Sequence, residues 1–488
     1  MLDQLMRRKA LADATSDAEA PEHRLKRTLT AVDLTALGIG AIIGAGIFSS
    51  TGTAAAGGGG HIGAGPALVL SYVLTAVACG FAALCYAELA SMIPIAGSAY
   101  TYAYVTLGEL VAWIIGWDLI LEYAVGNIAV AVSWSGYFKS FVEGFGVHLP
   151  AWLVSTVDQA RANPDILAHA PHVAGIPIVF NLPAVAIVAL LTVLLVVGVK
   201  ESARVNSIIV ALKIVLVIAF IGIGCFWVAP ANWHPFAPNG FHGIMAGASL
   251  IFFSYIGFDA ISTTAEEAKN PQRDLPRGMI ASLIICTVLY VLVTAVLTGM
   301  VPSSQLGVAD PLALALQKTG MTRLAGVFSF GAVIAMTAVL LVFQLGQPRI
   351  FLSMARDGLL PPFAAKVHPR FRTPHVTTII TGVAVGLPAM FVDLNDAIEF
   401  TNIGTLFAFV LVSAGVIALR YTDPDRPRPF RCPGVPLVPI LSIISCIALM
   451  LPLPRITWMR FVGWLIIGLV IYFLYGVRKS RLARVPQT

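Results

Sequence analysis

Residues 38–48 read Gly38-Ile-Gly-Ala-Ile-Ile-Gly-Ala-Gly-Ile-Phe48, and residues 252–260 read Phe252-Phe-Ser-Tyr-Ile-Gly-Phe-Asp-Ala260. Each places glycine and small residues near the middle of an otherwise apolar stretch. Glycine inside a helix costs about 1 kcal/mol relative to alanine. Gly40 and Gly44 can be explained by close helix packing, through the small-xxx-small spacing of membrane helices. The alternative is a break in the helix. A helix that restarts inside a membrane exposes unpaired N–H groups and a partial positive charge, which suit a carboxylate. Unwinding near Ser254–Gly257 would free carbonyls for an ammonium group. Together the two breaks describe a receptor for a zwitterion, and matching Gly-interrupted segments in two halves of a chain point to a transporter site of the repeat type.

Outward from these stretches, the chain of 488 residues is 58% apolar and 11% charged. Soluble domains carry about 25% charged residues, so a soluble protein of this composition is excluded. The apolar residues fall into twelve runs centred near Ile43, Thr75, Leu121, Ala189, Leu216, Ser254, Tyr290, Met336, Val383, Leu411, Ile444 and Ile467. A spanning helix needs about 20 such residues. The third run, about Tyr100 to Ser140, and the eighth, about Arg323 to Ala355, exceed that length. They lie five apart in order, as the first and sixth do. The fold expected is an all-α membrane protein with a 5+5 inverted repeat and broken first and sixth helices. The organisation expected is a tail at 1–28, a first repeat at 29–230, a second at 240–420, two added helices at 434–477 and a tail at 478–488.

The net charge of +6 does not indicate nucleic acid, because 24 of the 31 Lys and Arg fall in the tails and in loops on the side of both termini. That bias puts both termini in the cytoplasm of a cell whose inner membrane the protein crosses. The first 30 residues have no apolar stretch and read as a tail, not a cleavable leader. The cysteines at 79, 85, 225, 286, 432 and 446 form no CxxC pair, and the nine His show no HxxxH or HExxH spacing. Neither a metal site nor a cofactor is implied.

Three ionisable residues interrupt the spans. Lys213 lies nine residues after Arg204 in an apolar run; a lysine at depth is costly and is either functional or snorkels to the interface. Asp118 and Glu122 are one turn apart on the third span. Without a nucleophile, metal cluster or phosphate loop they do not make an enzyme. Glu122 either faces the substrate cavity, attracting a cationic side chain, or makes a structural hydrogen bond. Phe252, Phe253 and Tyr255 are candidate lid aromatics, of which at least one is expected to be ordinary packing.

Four segments carry a family resemblance: GIGAIIGAGIF at 38–48, YAELASMIPIAGSAYTYAY at 86–104, FFSYIGFDAISTTAEEAKNPQRDLPRGM at 252–279 and QPRIFLSMARDGLLP at 347–361. In this order and spacing the chain resembles the amino acid–polyamine–organocation superfamily, and within it the cationic amino acid transporter family. The resemblance implies a leucine-transporter-type fold and uptake of an L-amino acid. It implies substrate contacts at Ile42, Gly44, Ala45 and Gly46 in the first span and at Phe253, Ser254 and Ile256 in the sixth, with Met336 on the pocket floor. It also implies that Lys213 stands where sodium-coupled relatives bind sodium, tying the first helix to the eighth, so that transport is coupled to protons. Where relatives often have Thr or Ser, this chain has Ala45, which leaves the backbone contact only. A broad amino acid carrier is expected. Selective Arg/Lys transport and a non-transporting amino acid sensor are the alternatives.

Overall fold

The computed structural model describes residues 7–9, 27–58, 61–93, 98–173, 175–198 and 203–483. The Lys200–Arg204 loop and both expected tails lie in part outside them. The chain is almost entirely helical. Helix α1 (Ala31–Ile42) begins at a reciprocal cap in which Thr30 and Asp33 satisfy each other's backbone N–H groups. It stops at Ile43, whose backbone is extended, and a π-turn at Gly46–Ser50 leads into α2 (Thr51–Ala56). The two halves are bent by 40°.

Next come α3 (Leu68–Met92), α4 (Ser98–Thr106) and α5 (Glu109–Glu143), then the short helices α6 (Val157–Ala162) and α7 (Pro164–Ala168), α8 (Leu182–Val197) and α9 (Ala203–Gly224). A second set follows in a similar order. Helix α10 (Gly240–Ile251) leads into a broken stretch, followed by α11 (Pro271–Met300), the short α12 (Pro311–Lys318), α13 (Thr322–Arg356), α14 (His375–Ala389) and α15 (Leu394–Thr422). The chain ends with α16 (Leu437–Met450), α17 (Arg455–Ile471) and α18 (Val477–Lys479).

Among the described residues, eight helical segments are long and apolar enough to cross a membrane, and the bent pair α1–α2 makes a ninth; α8, α14 and α16 are apolar but shorter. Ile208, Val215, Ile218 and Phe226 on and just after α9 are all more than half exposed. A soluble protein does not display such a stripe, and hydrocarbon is its natural environment.

The third span differs from expectation at its start. The chain turns at Gly108, with φ +102°, so the expected run from Tyr100 divides into α4 and α5. Apolar residues flank this turn on both sides, which hides it in the sequence. Helices α5 and α13 are each 35 residues long and pack along one another, and α15 packs on α5. The segment between α5 and α8 folds as a small cap around Ala160, Ala170 and Val179, with a two-stranded hairpin pairing His172–Val173 with Ile176–Pro177.

A single carboxylate joins three parts of the chain. His61, in the turn after α2, lies 2.9 Å from buried Glu399 on α15, and Thr457 of α17 donates to the other Glu399 oxygen at 2.7 Å. The hydrogen bond with Glu399 holds the His61 pKa above its ordinary value; burial opposes this, and Asp393 and Asp396 add to it. His242 lines the same small cavity. Because the folded pKa is raised, the His61–Glu399 pair stabilises fully below the ordinary His pKa and loses its effect as pH rises through the folded value. The melting-temperature difference between the parent and His61→Gln should therefore be largest below about pH 6.5 and shrink under mildly alkaline conditions. A difference independent of pH contradicts this.

Candidate functional site

The break in the first span leaves carbonyls that α1 no longer pairs, and in hydrocarbon each must find a donor. Side chains supply them. Lys213 Nζ on α9 donates to Gly40 O at 2.6 Å, Tyr290 on α11 donates to Ile42 O at 2.9 Å, and Tyr137 on α5 donates to Phe48 O at 2.6 Å. Thr51 donates to Ile47 O at 2.9 Å, and Ser50 donates to Gly46 O. Donors from three helices thus hold the irregular backbone. The amide groups at Ala45 to Ile47 begin a new helical segment, so they lack the carbonyls one turn earlier that a continuous helix provides.

In the sixth span, α10 ends at Ile251, a 3-10 turn covers Phe252–Tyr255, and Ile256 is extended before Gly257 at φ +120°. A second 3-10 stretch, Asp259–Glu267, completes the span. The two breaks meet backbone to backbone. A Cβ placed on Gly46 would stand 2.3 Å from Ser254 Cα, and one placed on Gly257 would stand 2.9 Å from the carbonyl carbon of Ala41. Glycine is required at both places, and at Gly257 also by the left-handed backbone.

Hydroxyls and apolar side chains surround this contact. Tyr72 on α3 bonds Thr51 at 2.7 Å and Ser254 at 3.3 Å. Ser49 bonds Ser133 of α5 and donates to Ala309 O at 2.6 Å. The Ser133 hydroxyl, which donates to Ser49, also lies 3.1 Å from the Met336 sulfur of α13. Phe48 packs edge-on against Tyr137 and Phe328, and Val339 touches the position of Gly44.

The structure therefore brings together Ile42, Gly44, Ala45, Gly46, Phe253, Ser254 and Ile256 at the breaks, with Met336 beside them; all are buried. Lys213 is 1% exposed and bonds the first helix, so it does not snorkel. Its expected second tie, to the eighth span, is absent among the described residues; its other close polar neighbour is Cys286 on α11. Glu122 lies eleven residues before Ser133 on α5, about 16 Å along the helix, among Asp118, Asp259 and Thr405; Asp259 is two residues past Gly257, so Glu122 stands at the far edge of the sixth-span break, away from Ser133 and Met336. Of the aromatics, Phe252 packs on Phe409, and Tyr255 packs against Tyr72 and Tyr290. Only Phe253 remains for a lid. Sequence reading missed Ser49, Tyr72, Ser133, Tyr137 and Tyr290. A lone hydroxyl in a spanning helix is a weak signal, since it can bond its own helix as easily as a neighbour.

A bent and unwound pair of apolar helices meeting at glycine inside a helical bundle is an arrangement found in membrane transporters. The family model for amino acid permeases matches residues 29–475, and the chain belongs to that family. It is 50% identical to the branched-chain amino acid permease BcaP of Bacillus subtilis over 483 residues, covering 99% of this chain and all of that protein. It is 47% identical to the methylthioribose transporter of the same organism over 481 residues, covering 99% of this chain and all of that one. Identity to the vacuolar cationic amino acid transporter 4 of Arabidopsis thaliana is 39% over 442 residues, covering 89% of this chain and 69% of that protein. The protein is a multi-pass membrane transporter and not an enzyme.

The backbone contact at Gly46 yields a direct test. Gly46→Ala forces the two breaks apart, because the obstructing atom belongs to the Ser254 backbone. Substrate affinity measured by calorimetry should fall at least about tenfold, with a stability cost of about 1–3 kcal/mol. Gly80→Ala, inside α3 and meeting nothing within 4 Å, should leave affinity unchanged and raise stability by about 1 kcal/mol. Undiminished affinity in Gly46→Ala contradicts this reading of the contact.

Proposed function

We propose that the protein takes up neutral, branched-chain L-amino acids across the plasma membrane, coupled to protons and independent of sodium. The observation that carries this is the meeting of the two breaks at Gly46 and Ser254. The restarted first helix offers amide groups to the carboxylate, and the end of α10 offers carbonyls to the ammonium. Met336, Phe48 and Phe253 offer an apolar surface to the side chain. Met336, Phe48 and Phe253 supply no carboxylate for a cationic side chain, and Glu122 lies beside Asp259, about 16 Å along α5 from Ser133, which weighs against selective Arg/Lys transport. Similarity to a branched-chain permease supports the same choice.

On this reading all twelve apolar segments cross the bilayer, the short α8, α14 and α16 where the bilayer thins or neighbouring helices compensate. The order of broken, long, short and 35-residue helices occurs twice, which supports an inverted repeat of the leucine-transporter type at 29–230 and 240–420. The charge bias supports cytoplasmic termini. Glu122, Asp118 and Asp259 then belong to the closed inner half of the pathway.

Proton coupling rests on Lys213. Its ammonium fills a carbonyl site on the first helix, where a bound cation would otherwise be needed. A proton drives transport only through different affinities of two states, and loss of the Lys213 proton weakens the tie between α9 and Gly40, because a neutral amine donates a weaker bond than an ammonium. Proteoliposome uptake of leucine in choline buffer should vary with external pH and proceed without sodium. Lys213→Ala should lose at least about nine-tenths of uptake while staying folded. A sodium requirement, or a full pH-dependent rate in Lys213→Ala, contradicts proton coupling through this residue.

Met336 tests side-chain recognition. Met336→Ser removes a bulky group beside Ser133 and should admit longer substrates, so that arginine competes several-fold better against leucine. Unchanged competition shows that Met336 does not limit size. A second reading has specific support. The hydroxyls of Ser49, Thr51, Tyr72, Ser133 and Ser254 suit a polyol as well as an amino acid, and a methylthioribose transporter is similar at nearly the same identity. Strong competition by methylthioribose and none by leucine would favour it.

A further inference from the structure

We propose that a groove between α11 and the connection from α15 to α16 holds an anionic phospholipid of the inner leaflet; the leaflet follows from the cytoplasmic termini proposed above. A cavity of about 710 Å³ lies there, with Arg273, Arg277, Ile280 and Ile284 of α11 on one side and Pro429 and Phe430 on the other. The four α11 residues are spaced four, three and four apart, so they form one stripe on the helix. The stripe is ordered along the axis: two guanidinium groups in the first two turns of a spanning helix, then isoleucines, with Ile284 58% exposed. Arg277 and Ile284 are separated by about 10 Å along the axis. A phospholipid has the same order, a phosphodiester followed by acyl chains.

The two arginines are available. Arg420 and Arg428 pair with Glu88, Arg426 with Asp423 and Arg460 with Asp396. Among the described residues Arg273 and Arg277 make no ion pair. The opposite wall is firmly held. Ser91 receives the Phe430 N–H at 3.2 Å, and buried Glu88 receives the Cys432 N–H at 2.7 Å and both Arg420 nitrogens at 3.1 and 2.7 Å. The groove therefore lies between a spanning helix and a fixed connection. Guanidinium groups bind phosphate through paired, charge-assisted hydrogen bonds, and basic pockets beside membrane helices on the cytoplasmic side are suited to anionic headgroups. A soluble anion would gain nothing from Ile280 and Ile284. The lipid would bridge α11, which supplies Tyr290 to the first break, to the connection anchored on α3.

The test uses the full-length, delipidated protein in detergent, titrated with phosphatidylglycerol and with phosphatidylcholine of the same chains, read by native mass spectrometry and thermal unfolding. Phosphatidylglycerol should bind preferentially and raise the melting temperature. Arg273→Gln with Arg277→Gln should weaken phosphatidylglycerol about tenfold or more, as the loss of two surface charges implies, with phosphatidylcholine unchanged. Arg273→Lys with Arg277→Lys should retain most of the preference. Equal binding of the two lipids by the parent, or undiminished phosphatidylglycerol binding by the glutamine variant, overturns the proposal. Displacement of the lipid by glycerol phosphate also overturns it, because the site would then serve a soluble phosphate ester. Leucine binding, measured in parallel by calorimetry, should persist in the glutamine variant. Absence of leucine binding in the parent would count against the transport reading and leave the lipid result standing.

Discussion

Hydrocarbon does not hydrogen-bond, so any backbone group released from a helix inside the membrane must be satisfied by the protein. The first span opens its helix at Ile43, and much of the architecture follows from satisfying the groups this releases. Lys213, Tyr290 and Tyr137 come from three different helices, and each ends on a carbonyl of the broken segment. The same break that demands these donors leaves amide groups at the start of the next helical segment. The backbone is thus irregular inside the bundle, where side chains of other helices can reach it, and the site proposed above makes use of the same irregularity.

The two broken spans are also coupled at their base. Thr28 and Leu29 donate their N–H groups to Glu267 O, both at 2.9 Å, and Lys269 N–H donates to Leu29 O at 2.8 Å. This short backbone bridge joins the entry to α1 to the end of the sixth span. The paired 35-residue helices α5 and α13, with α15 packed on α5, run unbroken beside this pair, with Pro348 inside α13. Glu399 links α15 to the turn after α2 through His61.

The breaks were legible in the sequence because glycine weakens an apolar helix and persists there only where close packing or an opened backbone requires it. The correspondence between 38–48 and 252–260 favoured the opened backbone. Lys213 stood out in the sequence because a charge at depth is costly, but snorkelling stayed open until the fold showed it buried against Gly40. Its single tie to Gly40 was not, because the choice of carbonyl depends on how α9 leans on α1. Glu122 illustrates the main limit. Which part of the sixth-span break it approaches depends on where α5 starts and how it tilts, and the turn at Gly108 is hidden between apolar neighbours. The tyrosines were illegible for another reason. In a sequence a buried tyrosine is a packing aromatic, and only the fold shows that the hydroxyls of Tyr137 and Tyr290 end on orphan carbonyls.

The central claim is that backbone groups at the two breaks hold a zwitterion by its charges, and that side-chain contacts only grade among substrates. Competition against leucine binding by leucine methyl ester and by N-acetylleucine, measured by calorimetry on the purified protein, tests it most directly. Each analogue keeps the side chain and removes one charge. Both should fail to compete at concentrations where isoleucine and valine compete fully. Competition by either analogue at the level of leucine itself would show that the breaks do not read the charge it lacks.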